Sequence, residues 1–274
     1  MSAAAHSLAP APRTNRCEHW VVKFGGHAMT RAAEREAFGH AVCNLRTLGV
    51  RPLVVHGGGP QIAQALESRN IATRRVAGVR ITCREALKVV ADVLGTQVNS
   101  ELVATLRRHG GDAEGLRGDR DALIDATRLG ELFDAHGDAV DAGFVGRVHR
   151  VDGARLRRVC ETRIPVVAPL GRDRSKSVLN INADDAAAAV AAGVRATGLV
   201  FITDVQGVLD ENGQRFGCLT SAETIRLTSR GVIRGGMVPK VRAARAALAA
   251  GVPVVQIRAG GIALSDSAGT LIVR

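Results

Sequence analysis

Aromatic side chains are scarce in this chain of 274 residues, which has no tyrosine, one tryptophan and six phenylalanines. Proteins that bind RNA or single-stranded DNA stack bases on aromatic rings, so this chain can build few such surfaces. The net charge of +11 would otherwise suggest a nucleic-acid partner, because clustered Lys and Arg release counterions from phosphates. We interpret the excess charge as mostly solvated arginine and predict no nucleic-acid partner.

Long apolar runs and paired cysteines are also missing. No run approaches the roughly 18 to 20 apolar residues that a membrane-spanning helix needs, which predicts no membrane partner. The cysteines are odd in number, form no C-x-x-C pair and have no His at metal-ligand spacing (Cys17, Cys43, Cys83, Cys160 and Cys218). This usage favours a reduced, cytoplasmic location and predicts no metal-ligating residues. Residues 1–18 lack the apolar core of a signal peptide, and we expect a flexible tail.

Apolar bursts alternate with amphipathic stretches along the rest of the chain. The bursts predict strands and the stretches predict helices, in the order WVVKF, AAEREAFGHAVCNLRTLG, RPLVVH and PQIAQALESRN. The same order returns in IPVVAPL, ADDAAAAVAAGVRATG and LVFITDV, and again in VPKVRAARAALAAG and VPVVQI. Such alternation is typical of βαβ units and predicts an α/β fold with a mainly parallel sheet. Between the halves, GFVGRVHRVD is interpreted as a short hairpin or lid outside the core.

Glycine turns stand beside three predicted helix starts. They comprise Gly25 and Gly26, then Gly57, Gly58 and Gly59, then Gly235 and Gly236. The first amides of a helix have no partner within the helix and attract anions, and glycine lets an anion approach them closely. The spacing matches neither G-x-x-x-x-G-K-[ST] nor G-x-G-x-x-G, which argues against a P-loop and a Rossmann site. What remains is a phosphate chemistry that combines glycine turns with two separate lysines, Lys23 and Lys240.

Several motifs together resemble the amino acid kinase family. They are VVKFGGHAM, VVHGGGPQI, GVRIT, NINADDAAAA, ITDVQGV and GGMVPKV, in the order found in N-acetylglutamate kinases. The resemblance implies a three-layer α/β/α sandwich with two lobes. It implies that residues 19–171 bind the acyl substrate and form a homodimer, and that residues 172–274 bind MgATP. The implied reaction is phosphorylation of the side-chain carboxylate of N-acetyl-L-glutamate, a step of arginine biosynthesis.

The resemblance also implies which residues carry out the reaction. Lys23 and Lys240 would lie on either side of the transferred phosphoryl group, and Asp184 would orient the two lysines. Asp184 begins a predicted helix, where Asp is also a common cap. The implied substrate-binding residues are Gly58, Gly59, Arg80, Asn180 and Asn182. The implied nucleotide-binding residues are Gly25, Gly26, Asp204, Gly207, Leu209, Gly235, Gly236 and Met237. The implied cofactors are ATP and Mg²⁺.

Some positions depart from the N-acetylglutamate kinase pattern. Arg117 stands where a small hydroxyl residue is usual, Arg242 follows P-K-V in place of an acidic residue, and IRAGG replaces I-D-G-R. The ending GTLIVR is closer to kinases whose amino dicarboxylate is attached to an acidic carrier protein. Two arginine-rich segments, residues 69–84 and 147–158, could attract such a carrier. Glutamate or 2-aminoadipate on a carrier therefore stays an alternative substrate, and a non-catalytic regulatory protein of the same fold stays a remote one.

Overall fold

The computed structural model describes residues 18–134, 136–260 and 268–274. The predicted tail lies outside the described residues, apart from Glu18. Within the described ranges, no helix has both the length and the apolar character needed to cross a membrane.

Strands and helices alternate through most of the described residues. The strands are β1 (His19–Phe24), β2 (Arg51–His56), β3 (Arg75–Val76), β4 (Val79–Arg80), β5 (Ala113–Arg117), β6 (Ile124–Arg128), β7 (Glu131–Phe133), β8 (Ala139–Asp141), β9 (Val145–Val151), β10 (Ile164–Ala168), β11 (Leu170–Arg172), β12 (Val178–Ile181), β13 (Gly198–Thr203), β14 (Cys218–Thr220), β15 (Val255–Ala259) and β16 (Thr270–Val273). The helices are α1 (Ala32–Thr47), α2 (Gly59–Glu67), α3 (Arg84–Asp92), α4 (Asn99–Arg108), α5 (Gly153–Thr162), α6 (Ala183–Val194), α7 (Ser221–Ser229) and α8 (Met237–Ala249). A 3₁₀ turn (His27–Met29) precedes α1, and a π-helical segment (Val93–Val98) joins α3 to α4.

Eight strands form the main sheet, in the order β14-β16-β15-β13-β1-β2-β10-β5. Every neighbouring pair is parallel except β15 and β16, which are antiparallel. All five residues of β10 are buried, as expected for a parallel strand that is covered on both faces. The α/β fold with a mainly parallel sheet is confirmed.

The side chains of the sheet divide between two apolar clusters because successive residues of a strand point to opposite faces. In β1, Val21 belongs to a cluster that includes residues of α5, α6 and α8, whereas Val22 belongs to one that includes residues of α1, α2, α3 and α4. The sheet is therefore the middle of three layers, and the predicted α/β/α sandwich is confirmed.

A second sheet contradicts the interpretation of GFVGRVHRVD as a hairpin or lid. The segment contains β9, which pairs antiparallel with β6 and parallel with β12, and these three strands close with β11 into a four-stranded barrel. Val145 and Gly146 are buried, and a Cβ at Gly146 would lie 2.6 Å from Ile181 Cδ1. The prediction was wrong because β9 pairs with a strand on each side, which makes this arginine-rich segment part of the barrel. The local sequence does not show these long-range pairings.

The predicted boundary between lobes, after residue 171, falls inside β11 (Leu170–Arg172). The main sheet runs without interruption across the two halves of the chain, because β1 from the first half pairs with β13 from the second. The division into a substrate lobe and a nucleotide lobe stays a prediction.

Candidate active site

Lys23 is a buried lysine in the middle of the main sheet, where β1 runs between β2 and β13. Only 5% of the surface of Lys23 is exposed. The side chain folds back over the turn that follows the strand, because a Cβ at Gly25 would overlap Lys23 Nζ. Glycine at position 25 thus makes room for the ammonium group of Lys23.

Asp184 lies at the second position of α6, a helix rich in alanine, the residue with the highest helix propensity. The N-cap is Asn182, whose Oδ1 accepts hydrogen bonds from the amides of Asp184 (2.8 Å) and Asp185 (3.3 Å). The cap role considered for Asp184 is therefore carried by Asn182. Because Asn182 caps the helix, the Asp184 carboxylate is not needed for capping. It points toward the end of β1, where it contacts Lys23.

Lys240 lies one turn into α8, and its ammonium group meets the same carboxylate. Asp184 Oδ1 lies 2.9 Å from Lys23 Nζ, and Asp184 Oδ2 lies 3.4 Å from Lys240 Nζ. The three side chains are 6%, 7% and 16% exposed for Lys23, Asp184 and Lys240. Two cations therefore share one buried anion, and the group carries one net positive charge.

The electrostatics of this triad follow from burial and charge. Burial raises the pKa of Asp184, but Lys23 and Lys240 outweigh it, so the pKa lies below its usual range and the carboxylate stays ionised at neutral pH. Burial lowers the pKa of Lys240, and the like charge of Lys23 adds to this effect while Asp184 opposes it. One carboxylate cannot fully compensate two ammonium groups. A further anion, such as a phosphoryl group, would complete the charge balance.

His56 fixes the glycine triplet that follows β2. Its Nδ1 lies 2.8 Å from the carbonyl oxygen of Gly57, and its Nε2 lies 3.1 Å from Asn99 Nδ2. The same Asn99 nitrogen donates to the carbonyl of Val166 at 2.9 Å. An amide nitrogen only donates, so Nε2 accepts and Nδ1 carries the imidazole proton. Burial lowers the pKa of His56 to about 4, with a smaller contribution from Lys23, so the ring is neutral.

The two N-terminal glycine turns pack against each other. The amide of Gly57 donates to the carbonyl of Phe24 at 2.7 Å, and a Cβ at Gly57 would lie 3.4 Å from Gly25 Cα. A Cβ at Gly58 would lie 2.6 Å from Leu94 Cδ2. Gly58 is the N-cap of α2 and provides no side-chain acceptor, so the first amides of this helix are available to a ligand.

Arg80 reaches the start of α2 from the β3–β4 hairpin. Its Nη2 donates to the carbonyl of Gly59 at 3.2 Å and its Nη1 to Thr73 Oγ1 at 3.3 Å, and the residue is 8% exposed. Arg80 therefore lies beside Gly59, and the role of Gly58, Gly59 and Arg80 in substrate binding stays a prediction. Asn180 lies on β12, and its Nδ2 donates to Thr82 Oγ1 at 3.1 Å, two residues along from Arg80.

Asp204 follows β13 and contacts the turn after β1. Its Oδ1 accepts a hydrogen bond from the amide of Ala28 at 3.0 Å. Gly26 has a φ of 77°, and a Cβ there would lie 2.8 Å from Asp204 Oδ2. Asp204 also raises the pKa of Lys240, although burial lowers it more. The ends of β1 and β13, and the helix that carries Lys240, thus meet at one edge of the sheet.

The other predicted nucleotide residues lie on loops around α8 and β14. Gly207 has a φ of 147°, and a Cβ there would lie 2.6 Å from Thr270 Oγ1, so the loop needs glycine at this position. Leu209 is 36% exposed and forms an isolated bridge with Arg215. Gly235 has a φ of 57°, Gly236 is the N-cap of α8, and Met237 is its first residue. The side chain of Met237 packs against the larger apolar cluster.

Two of the departures from the family pattern, Arg117 and Arg242, pair with nearby carboxylates. Arg117 binds Asp119 through two hydrogen bonds of 3.0 and 3.1 Å, and a Cβ at Gly95 would lie 2.7 Å from Arg117 Nη1. Arg242 binds Asp185 through one nitrogen, because its Nη2 donates to both carboxylate oxygens, at 3.2 and 2.9 Å. Burial raises the pKa of Asp185, which makes this paired cation important for keeping its carboxylate ionised.

Sequence reasoning gave no role to Asn99 or Thr82, and it included Arg75 only as one member of the arginine-rich segment of residues 69–84. Thr82 lies within the GVRIT motif, and its hydroxyl donates to the carbonyl of Arg80 at 2.8 Å while accepting from Asn180. Its position inside a motif was the available signal. Asn99 follows a π-helical segment, and nothing in the local pattern indicates that it faces His56.

A mainly parallel α/β sheet with two lysines on one carboxylate, beside glycine-rich helix starts, is an arrangement suited to binding and transferring phosphoryl groups. Residues 18–259 match the amino acid kinase family. The chain therefore belongs to the amino acid kinase family.

Within this family, the similar proteins include acetylglutamate kinases. The chain is 39% identical over 258 residues to the acetylglutamate kinase of Persephonella marina, covering 90% of this chain and 86% of that protein. It is 42% identical over 246 residues to the acetylglutamate kinase of a Geobacter strain, covering 88% and 84%. Among solved structures, a protein from Streptococcus mutans superposes with a TM-score of 0.81 at 31% identity, covering 93% of this chain and 98% of that one.

Proposed function

We propose that this protein transfers the γ-phosphoryl group of ATP to the side-chain carboxylate of N-acetyl-L-glutamate, giving an acyl phosphate and ADP. The observation that carries the proposal is the buried triad of Lys23, Asp184 and Lys240, which has two cations on one anion. The similarity to acetylglutamate kinases, at about 40% identity over nearly the whole chain, supports the choice of substrate. The product belongs to arginine biosynthesis.

The reaction needs charge stabilisation more than proton transfer. A carboxylate oxygen of the substrate attacks the γ-phosphorus, and the bond from phosphorus to the bridging oxygen of ADP breaks. The carboxylate is ionised at neutral pH, so no general base is required. Lys23 and Lys240 neutralise charge on the transferred group, and Asp184 holds both ammonium groups in place before the substrates bind. Because the lysines are held by a shared partner, little reorganisation is needed in the transition state.

The remaining residues divide between the two substrates in this proposal. Arg80, Asn180, Asn182 and the amides at Gly58 and Gly59 bind the acyl substrate. Gly25, Gly26, Asp204, Gly207, Leu209, Gly235, Gly236 and Met237 bind the nucleotide. The glycine at position 25 fits this role, because a Cβ there would fill the space beside Lys23 Nζ. ATP would bring Mg²⁺, which neutralises charge on the phosphates when bound.

The proposed assembly and location follow from the same family. We propose a homodimer formed through residues 19–171, with residues 172–274 binding the nucleotide. A biosynthetic kinase of this kind would act in the cytoplasm. Light scattering coupled to size-exclusion chromatography measures the mass, and a monomeric mass at micromolar concentration would contradict the dimer.

Trapping of the acyl phosphate by hydroxylamine tests the reaction itself. The purified protein is incubated with MgATP and N-acetylglutamate, N-acetylaspartate, glutamate, 2-aminoadipate or acylated 2-aminoadipate, and hydroxamate and ADP are measured. We expect the highest kcat/KM with N-acetylglutamate. Absence of hydroxamate with every free and carrier-linked substrate would remove the kinase function.

Lysine variants test the triad. Lys23→Met and Lys240→Met should each lower kcat by about 100-fold or more, because each removes a charge that stabilises the transition state. Lys88→Met is the matched control, since Lys88 is exposed on α3 and should stay within about twofold of the unchanged protein. Unchanged kcat in either triad variant would remove that lysine from the reaction.

A carrier-linked amino dicarboxylate is the second candidate substrate, and exposed arginines around Phe144 favour it. Arg84 and Arg128 lie over the ring of Phe144, at 5.0 and 4.2 Å from its centroid. In the arginine-rich segment of residues 147–158, Arg150 and Arg155 pair with carboxylates on neighbouring elements, so less of its charge is available to a partner. A higher kcat/KM for the carrier-linked substrate than for N-acetylglutamate would support this candidate.

A further inference from the structure

Two arginines stand opposite each other on the small β3–β4 hairpin. The register of this antiparallel pair joins Arg75 to Arg80. Residues opposite each other on neighbouring strands point to the same face, and like charges in this arrangement are destabilising. Among the described residues, no ion pair joins either arginine to a carboxylate. The hairpin therefore keeps two close cations without a protein anion.

Both guanidinium groups converge on the first residue of α2. Arg80 Nη2 donates to the carbonyl of Gly59 at 3.2 Å. Arg75 Nη2 lies 3.4 Å from the position that a Cβ of Gly59 would take, and Arg75 Nη1 donates to the carbonyl of Gly78 at 3.0 Å. The hydrogen bond to Gly78 holds the Arg75 side chain over the hairpin instead of letting it extend into solvent.

The surroundings of Arg80 make its charge costly. Burial, together with the charge of Arg75, lowers the pKa of Arg80 to about 10. The start of α2 adds the positive end of a helix dipole at the same place, and Gly58 supplies no side chain to cap it. A carboxylate between the two guanidinium groups would relieve both costs, because it accepts paired hydrogen bonds from the planar fork of an arginine.

We propose that Arg75 is a second substrate-binding arginine, which together with Arg80 holds the carboxylate of the acyl substrate that does not react. This inference rests on the proposed function and specifies the substrate further. The site should select molecules with a free second carboxylate, in addition to the one that is phosphorylated. In this clamp, the exposed Arg75 and the buried Arg80 would each bind one side of the carboxylate.

The test compares N-acetylglutamate with its α-carboxamide, which keeps the reactive side chain but lacks the second negative charge. Arg75→Gln should raise the KM for N-acetylglutamate by about 10- to 100-fold, as expected for loss of a hydrogen bond between charged groups. The kcat and the KM for ATP should change by less than about threefold, because Arg75 does not contact the transferred group. The preference for the acid over the amide should shrink by the same 10- to 100-fold.

Arg74→Gln is the matched control. Arg74 is the adjacent exposed arginine, so this variant removes the same charge one residue away. If Arg75 acted only through long-range attraction, both variants would raise KM equally and the preference for the acid would shrink equally. Arg75→Lys should recover part of the affinity, since it restores the charge without the planar fork.

Two further measurements separate a binding role from a structural one and from failure of the proposed function. The melting temperature of Arg75→Gln without substrate should change little, because the variant removes both a repulsion with Arg80 and one exposed hydrogen bond to the carbonyl of Gly78; a clear fall would indicate a structural role and overturn the proposal. Calorimetric titration with N-acetylglutamate measures binding without turnover. Binding that is weakened by Arg75→Gln in a protein that forms no hydroxamate would retain the clamp and reject the kinase reaction. Equal binding by Arg75→Gln and Arg74→Gln, or no binding by the unchanged protein, would reject the clamp.

Discussion

Replacing Asp184 by asparagine leaves two buried lysines without their shared counter-ion. The change keeps the size of the side chain but removes ion pairs of 2.9 and 3.4 Å, both to side chains that are at least four-fifths buried. Breaking a buried ion pair by removing one partner costs roughly 3–5 kcal/mol, mainly because a buried charge is left uncompensated. We expect the free energy of unfolding of Asp184→Asn to fall by about this amount.

Without its counter-ion, Lys240 can lose its proton and become neutral. The cost of losing this proton is therefore the most that Lys240 can contribute to the fall in stability. A lysine with the ordinary pKa of 10.5 can be neutralised at pH 7.5 for about 4 kcal/mol, at about 1.36 kcal/mol for each pH unit. The pKa of Lys240 already lies below 10.5, so its share of the loss should be smaller. In the variant this pKa falls further. The unfolded state then binds more protons than the folded state, and stability rises with pH.

Urea unfolding followed by circular dichroism between about pH 6 and pH 10 measures both effects, because the method reports the free energy of unfolding directly. The deficit of Asp184→Asn should be largest near pH 7 and shrink as the pH approaches 10.5. In the unchanged protein, the lowered pKa of Asp184 contributes stability above the ordinary value of 3.8, which is lost as the pH falls through the lower folded-state pKa.

Asp185→Asn is the control for Asp184→Asn. Asp185 is the next carboxylate on α6, but its side chain is 39% exposed and its partner Arg242 is 51% exposed. Its replacement should cost about 1 kcal/mol or less. A loss below about 1 kcal/mol for Asp184→Asn, or a deficit that does not change with pH, would refute the role of Asp184 as the buried counter-ion of both lysines.

Two further predictions concern groups that hold the site in place. The pKa of His56 is lowered from 6.5 to about 4, so the free energy of unfolding should fall as the pH falls from about 6.5, by at most about 3 kcal/mol by pH 4. A pH profile of unfolding that is the same for the unchanged protein and His56→Asn would contradict this. Arg46 donates to three main-chain carbonyls at the end of α5, at 3.0, 3.1 and 3.2 Å, so Arg46→Met should lower the free energy of unfolding by about 1–3 kcal/mol. Arg69→Met is its control, because it removes one exposed hydrogen bond, from Arg69 Nη1 to the main-chain carbonyl of Ala65, and an equal loss in both would count against the prediction.

Local patterns in the sequence predicted the fold class and the positions of the glycine turns. Alternation of apolar bursts with amphipathic stretches reports which segments are buried on two faces and which on one, and this depends only on neighbours along the chain. The folding of the Lys23 side chain over Gly25 was not predicted, although it is a local arrangement, because no sequence pattern specifies the rotamer of a lysine. The family motifs then indicated which lysines and which carboxylate to group.

Tertiary structure decided the contacts that no local pattern contains. The segment with β9 looks like a polar connection, yet hydrogen bonds on both sides place it in the barrel. Asn99 meets His56 across 43 residues of chain, and its role depends on the turn of the π-helical segment before it. Arg75 lies opposite Arg80 because of the register between two strands of two residues each. A shift of one residue would move their side chains to opposite faces. Periodicity along the chain determined what is buried, whereas strand register and packing between distant elements decided which charges meet.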